Sequence, residues 1–257
     1  MLEVDGILLA GAPNQGPLQE IDSVSHEALI RIGGRPMFLY VLEALLAAPQ
    51  IKRVVIVGPQ ELEGPEGWPE GAVRVDPAGS LIANVFCGLE ALGGERPVLI
   101  ATADIPLLSR EAVEGFLGEC AETPGDFYYP LIPRDIMERS FPHLRRTYFT
   151  LREGSFTGGN LVLLRPGAAL GFEDLLQEVT AFRKQPWRIV SLLGFSFALR
   201  FFLKRLAIGD AVRRVEELTG LRGVAVVCPW AEIGFDVDKP DQFHAVRAAL
   251  EEGGRAG

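Results

Sequence analysis

The sequence predicts an α/β fold with a mainly parallel sheet flanked by helices, and three observations predict it. Five continuous apolar runs, at Gly6 to Ala10, Arg53 to Gly58, Pro97 to Ala101, Asn160 to Leu164 and Val224 to Cys228, have the character of strands covered by helices on both faces. Segments of helical spacing separate them. The chain has 257 residues and is 48% hydrophobic, enough to bury one large domain.

The first strand ends in Leu9-Ala10-Gly11-Ala12-Pro13 and a polar loop, and small residues there let a backbone come close to a ligand. Its carboxyl end is therefore expected to open onto a nucleotide pocket. A helix follows, with Pro36 at its opening position and Met37, Tyr40, Val41, Ala44 and Leu45 on one apolar stripe. Ser80 is placed to cap a second helix. Ser109 caps a third, with Glu111 in the first turn and Val113, Phe116, Leu117 and Cys120 on its apolar side. In an open sheet of this kind the ligand crevice lies at the carboxyl ends of the strands, so residues just past each strand carry most of the functional weight.

Two acidic segments stand out at such positions. Val98 to Thr102, then Ala103-Asp104-Ile105-Pro106, sets a lone carboxylate past a strand and before a proline that stops it. Asp104 is expected to face the crevice, with an Asx turn closing the strand end as the competing role. In Glu232-Ile233-Gly234-Phe235-Asp236-Val237-Asp238-Lys239-Pro240-Asp241, alternation puts Asp236 and Asp238 on the same side of a short strand. Helix capping competes there, but with Pro240 as the first helical residue the cap falls to Lys239. Carboxylates so placed suit a hard cation that also takes phosphate oxygens and water.

The opening segment, followed by Glu27-Ala28-Leu29-Ile30-Arg31-Ile32-Gly33-Gly34-Arg35-Pro36-Met37, resembles the signature of nucleotidyltransferases of the glycosyltransferase-A-like superfamily. That group includes molybdenum-cofactor guanylyltransferase and the sugar-nucleotide pyrophosphorylases. The segments around Asp104 and Asp238 resemble its two metal-binding motifs, and the likeness covers the first half and the end of the chain. The resemblance implies a Rossmann-like sheet of glycosyltransferase-A type, with Mg²⁺ or Mn²⁺ held by Asp104 and Asp238 and with Asp236 supporting them from behind. It implies nucleotide contacts from Leu9, Ala10, Gly11 and Ala12. Gly79 to Leu89 resembles the loop and helix start that read base and ribose, with Ser80 and Asn84 the polar candidates. Phe156-Thr157-Gly158-Gly159-Asn160 resembles the strand entry that lines the acceptor side.

The chain departs from that pattern at three places. Ala12 stands for a second glycine, the loop Asn14-Gln15-Gly16 carries no Arg, and Glu27 takes the position of a phosphate-binding Lys. Glu27 sets like charge near anions. Arg31 and Arg35, which flank the same loop, are the phosphate-side candidates, with Arg134, Arg145 and Arg146 farther along the chain. The ordinary role of each is a solvated surface charge.

On this reading residues 1–257 form one nucleotidyltransferase-like domain: a nucleotide-binding half at 1–122, an insertion and acceptor side at 123–206, and a closing strand and helices at 207–257. The implied reaction moves a nucleotidyl group from a nucleoside triphosphate to a small acceptor and releases pyrophosphate. A phosphorylated acceptor is favoured, because a phosphate oxygen is already a nucleophile. The three histidines, His26, His143 and His244, have no catalytic spacing, and nothing nominates a base for a hydroxyl acceptor. Two alternatives stand beside this reading: a nucleotide-binding sensor or assembly domain without turnover, and a glycosyltransferase that uses a nucleotide sugar.

Charge and composition exclude other classes. A net charge of -9 and the lack of a Lys/Arg stripe argue against nucleic acid as a partner. Cys87, Cys120 and Cys228 show no Cys-x-x-Cys spacing, so reduced thiols are expected rather than a disulfide framework or zinc knuckle. The acidic start, Met1-Leu2-Glu3-Val4-Asp5, is unlike a signal peptide, and a cytoplasmic location is expected. Phe127 to Arg134 and Arg145 to Tyr148 interleave aromatics with cations, as an acceptor pocket or a packed core would. Residues 187–206 carry an apolar run, Ile189 to Leu199, then Arg200, Lys204 and Arg205; the stretch is too short and too charged at one end to span a bilayer. A buried helix is its simplest account, with a membrane-surface helix or a homo-oligomer face as the alternative.

Overall fold

The computed structural model describes residues 2–62, 68–142, 146–168 and 195–253. At its centre lies β1 (Val4–Leu9), buried along its whole length, with β4 (Ile51–Val57) and β6 (Val98–Thr102) parallel to it on either side. β5 (Ala72–Val75) extends the sheet beyond β4, again parallel. A strand buried on both faces has no polar face to show, which is why these segments read as unbroken apolar runs.

Past β6 the sheet changes direction. β10 (Leu161–Leu164) runs antiparallel to β6 and to β7 (Phe127–Pro133), and β7 continues antiparallel to β9 (Gly154–Gly158), which pairs with β8 (Phe149–Leu151). β11 (Gly223–Val227) joins β7 in parallel, and β2 (Arg31–Ile32) with β3 (Arg35–Pro36) forms a separate hairpin. The main order is β5-β4-β1-β6-β10-β7-β9-β8, a mixed sheet. The predicted parallel pattern thus holds for the first four strands. The Asn160 to Leu164 run departs from it because the chain enters β10 directly from β9, without the long crossover that a parallel neighbour needs.

Four further strands, β5, β7, β8 and β9, are not marked by apolar runs in the sequence. β7 is the Phe-Tyr-Tyr-Pro-Leu-Ile-Pro segment, and its aromatics are core in part: Tyr128 is fully buried, with its hydroxyl donating to the Thr123 carbonyl at 2.8 Å. Part of the 123–206 segment is therefore woven into the main sheet.

Helices cover both faces. α1 (Met37–Ala47) buries Met37, Val41, Ala44 and Leu45 as the stripe predicts, although Pro36 precedes the helix in an extended conformation instead of opening it. α2 (Leu81–Leu92) and α3 (Arg110–Glu122) begin where the Ser80 and Ser109 hydroxyls accept the N–H groups of Ala83 and Ala112, each at 3.1 Å. Leu8 of β1 faces α1 and α3, while Ile7 and Leu9 face α2, so one strand serves two cores. The remaining described helices are α4 (Arg134–Ser140), α5 (Phe195–Phe202), α6 (Ile208–Thr219) and α7 (Pro240–Gly253). Residues 187–194 of the apolar stretch lie outside the described residues. Of the rest, α5 leaves Leu199 and Phe202 exposed and Leu203 just after it is exposed too, whereas Phe197 packs against a core cluster that includes buried Leu206. Cys87, Cys120 and Cys228 are free thiols.

Candidate active site

In the order β5-β4-β1-β6, the chain leaves β1 toward β4 on one side and comes back to β6 on the other. Connections that diverge in this way leave a crevice at the carboxyl ends of the two strands. A cavity of about 490 Å³ fills it, within the roughly 300–1,000 Å³ typical of small-molecule sites. The fold brings to its walls Leu9, Ala10, Gly11 and Ala12 after β1, Ser80 and Asn84 at α2, Asp104 after β6, Asn160, and Asp236 with Asp238. Arg31, Arg35, Gly158 and Gly159 are not on those walls.

The loop after β1 is pinned from three sides. Ala10 N–H reaches the Val57 carbonyl at 2.9 Å, Ala103 N–H reaches Leu9 at 3.0 Å, and Glu27 N–H reaches Ala12 at 3.1 Å. A side chain on Gly11 would place its Cβ 2.9 Å from Pro77 Cβ and 3.0 Å from Asn84 Nδ2, so glycine is required for the two walls to close. Ala12 is exposed and its methyl displaces nothing. Among the described residues the N–H groups of Gly11 and Ala12 have no acceptor. Asn84 is buried and accepts the Ala78 N–H at 2.7 Å, tying the 77–84 loop to the helix start while its amide nitrogen faces Gly11.

Opposite this loop three carboxylates converge. Asp104, Asp236 and Asp238 each offer an oxygen, and these oxygens lie within 4.8 Å of one another. The segment carrying the last two is an extended loop rather than the predicted strand. Alternation still works within it, because Val237 is buried and donates its N–H to the Asp104 carbonyl at 2.8 Å, turning both flanking carboxylates the other way. α7 starts at Pro240 as predicted. The Asp238 N–H goes to Gln242 Oε1 at 2.8 Å, and its carboxylate is left free of capping.

Electrostatics mark the cluster as strained. Burial pushes the Asp104 carboxyl up to about 6, against a hydrogen bond from the Thr102 hydroxyl that favours ionisation and with the Asp236 charge adding to the rise. Asp238 is raised by burial and by the neighbouring Asp236. Asp236 stands inside the cluster rather than behind it, and it is held by Arg146, which pairs with its carboxylate, donates to the Gly234 carbonyl and lies over the Phe235 ring at 5.8 Å. The Arg146 side chain is only 11% exposed. Arg146→Ala is expected to lower the melting temperature in metal-free buffer, because truncating one partner leaves a half-buried charge unpaired. Added Mg²⁺ should then stabilise the variant more than the parent, as followed by thermal shift.

Glu27 faces the same space. Its carboxyl is raised by burial and then by the charge of Asp238. Among the described residues that line the cavity there is no Lys or Arg. The phosphate-side candidates are engaged elsewhere: Arg31 donates to the Gly34 carbonyl at 2.6 Å, and Arg35 pairs with Glu43 and stacks over Tyr40 at 5.0 Å. Both belong to the β2–β3 hairpin; the hairpin's own turn takes up the Arg31 guanidinium and α1 takes up that of Arg35. Arg134 pairs with Glu138 at 2.7 Å and covers the Tyr148 ring, while His143 and Arg145 lie outside the described residues.

The acceptor-side glycines serve the neighbouring strand. A Cβ on Gly158 would sit 2.1 Å from the Tyr129 hydroxyl, and one on Gly159 would sit 2.8 Å from Pro130 and from Ile233. Close packing there lets the chain bend between β9 and β10 and deliver Asn160 to the cavity, with its N–H on the Ile233 carbonyl at 2.9 Å. Sequence reasoning missed Thr102 and Gln242. Thr102 could have been found from its place two residues before Asp104, a hydroxyl within reach of the carboxylate. The pairing of Arg146 with Asp236 spans 90 positions and left no local trace.

A mixed α/β sheet whose β1 loop and carboxylates converge at a topological switch point is the architecture of a small-molecule site. The chain belongs to the MobA-like NTP transferase domain family, whose model matches residues 23–185. It is similar over most of its length to a hypothetical transferase structure from Thermus thermophilus, with 36% identity, a TM-score of 0.83, and coverage of 94% of this chain and 100% of that one. It is 30% identical over 100 residues to a 2-C-methyl-D-erythritol 4-phosphate cytidylyltransferase from Nocardia farcinica (strain IFM 10152), an alignment spanning 39% of this chain and 41% of that protein. The crystal structure of the 2-C-methyl-D-erythritol 4-phosphate cytidylyltransferase from Thermus thermophilus matches with a TM-score of 0.54, covering 97% of this chain and 100% of that one; its 19% identity supports the fold alone. Among the described residues no helix is long and apolar enough to cross a membrane.

Proposed function

We propose that the cavity binds a nucleoside triphosphate with Mg²⁺ or Mn²⁺ and transfers its nucleotidyl group to a small phosphorylated acceptor, with release of pyrophosphate. The observation that carries this is the convergence of Asp104, Asp236 and Asp238 oxygens within 4.8 Å on a cavity wall that faces the free amides of the β1 loop. Three carboxylates are a hard oxygen donor set of the kind that divalent Mg²⁺ takes together with phosphate. Bound there, the cation would supply charge neutralisation for phosphate oxygens that no Lys or Arg among the described wall residues provides.

The residues divide the work. Asp104 and Asp238 hold the cation; Asp236, already neutralised by Arg146, completes the cluster and orients Asp238 through the shared loop. The Gly11 and Ala12 amides meet phosphate oxygens, and Ser80 and Asn84 border the nucleoside. Among the described residues no histidine lines the cavity, and a phosphorylated acceptor would need no base. The Nocardia relative, named for an alcohol phosphate, supports a phosphorylated acceptor of that kind.

The test is pyrophosphate release from each of four nucleoside triphosphates, with and without Mg²⁺, across sugar phosphates, alcohol phosphates and pterin cofactors. Release that depends on metal and on a phosphorylated acceptor is expected. Binding without release for every acceptor would favour the silent binder, and release only from a nucleotide sugar would favour the glycosyltransferase.

A further inference from the structure

One side of α5 is packed and the other is not. Phe197 and Phe201 border an apolar groove of about 350 Å³ shared with β7, β8, β11 and α6. On the opposite side Phe202 is 75% exposed, with Leu199 and Leu203 exposed beside it. Outward aromatic and aliphatic side chains grouped on one short helix mark an interaction surface. The charges that follow Phe202 directly in the chain are Lys204 and Arg205, both exposed, although the chain as a whole carries -9. Arg200 faces Asp210 at 3.6 Å, while Lys204 and Arg205 have no ion-pair partner among the described residues. Cations at the end of a helix suit its dipole, which accounts for the charge but leaves Phe202 beside it unexplained.

We propose that this side of α5 docks on an anionic lipid bilayer. Phe202, Leu199 and Leu203 enter the boundary between headgroups and acyl chains, and Lys204 and Arg205 meet the lipid phosphates. Charge selects this partner over a second copy of the chain, since a two-fold contact through the same surface would set its cations against one another. An attachment that leans on exposed charges is reversible and salt-sensitive.

The test is co-sedimentation of the full chain with vesicles of phosphatidylcholine alone and of phosphatidylcholine mixed equally with phosphatidylglycerol. Binding to the anionic vesicles only, lost at high salt, is expected. K204E with R205E should weaken it about twentyfold at low salt, each basic residue near the surface counting for roughly fivefold. Phe202→Ser with Leu203→Ser should abolish it; both pairs are exposed, and unchanged circular dichroism melts would show that the fold is kept. Equal pelleting with neutral vesicles, no pelleting, or parent-like binding by either pair would overturn the proposal. So would a fall in molar mass by light scattering for the Phe202→Ser pair without vesicle binding by the parent, which would assign the surface to a second copy.

Discussion

Asp104→Asn should abolish metal-dependent nucleotidyl transfer and, in metal-free neutral buffer, raise the melting temperature. The two effects have one origin. Asp104 is held beside Asp236 with its carboxyl raised from 3.8 to about 6, so its ionised form is disfavoured by the fold, a cost that the proposed cation would offset. A group whose folded pKa is raised destabilises the native state fully above about 6, and that strain is relieved as pH falls toward 3.8. Asparagine can still accept the Thr102 hydroxyl but carries no charge, so the variant should gain about 2 kcal/mol at pH 7.5, or several degrees, and lose that advantage below pH 4. Thermal melts across this pH range check the stability, and pyrophosphate release checks the activity. A drop of about a hundred- to a thousandfold in rate is expected, because the proposed cation that neutralises the phosphates loses a ligand. An active Asp104→Asn enzyme, or a variant less stable than the parent at neutral pH, would show that this carboxylate is structural.

Glu27→Lys should tighten binding of a nucleoside triphosphate, by about tenfold at low ionic strength, and make it less dependent on Mg²⁺. Glu27 shares the cavity with three other carboxylates and with no Lys or Arg among the described lining residues, so its replacement removes repulsion and supplies the one cation. The change of two charges at partly exposed separations amounts to on the order of 1 kcal/mol or more, and salt should shrink it. Glu27→Gln separates the two contributions, since it relieves repulsion without adding attraction. Calorimetric titration with and without metal reads both. Unchanged affinity of Glu27→Lys at low salt would mean that the loop after β1 does not face the phosphates.

The legible parts of the fold were those written locally. β1, β4 and β6 announce themselves because strands buried on both faces contain little but Val, Ile, Leu and Ala. Ser80 and Ser109 could be assigned as caps because a cap is made with a residue three positions away. Asp104 and Asp238 were legible through a strand-ending proline and a helix-opening proline, both of which act on their own neighbours. β7, β8 and β9 were not, because an aromatic segment such as Phe127 to Pro133 reads equally well as pocket or core until its partners are known.

The sequence by itself thus determined the parallel half of the sheet, the helix starts, the small-residue loop after β1 and the two acidic segments that belong with it. Only the tertiary structure decided which charges share the cavity. It drew Asp236 into the cluster and paired it with Arg146, turned Arg31 into its own hairpin and Arg35 onto α1, left Glu27 facing Asp238, and exposed one side of α5. The physical reason is range: propensity, capping and alternation act within a few residues along the chain, whereas an ion pair, a pKa and a burial are set by distances in space that the chain order does not encode.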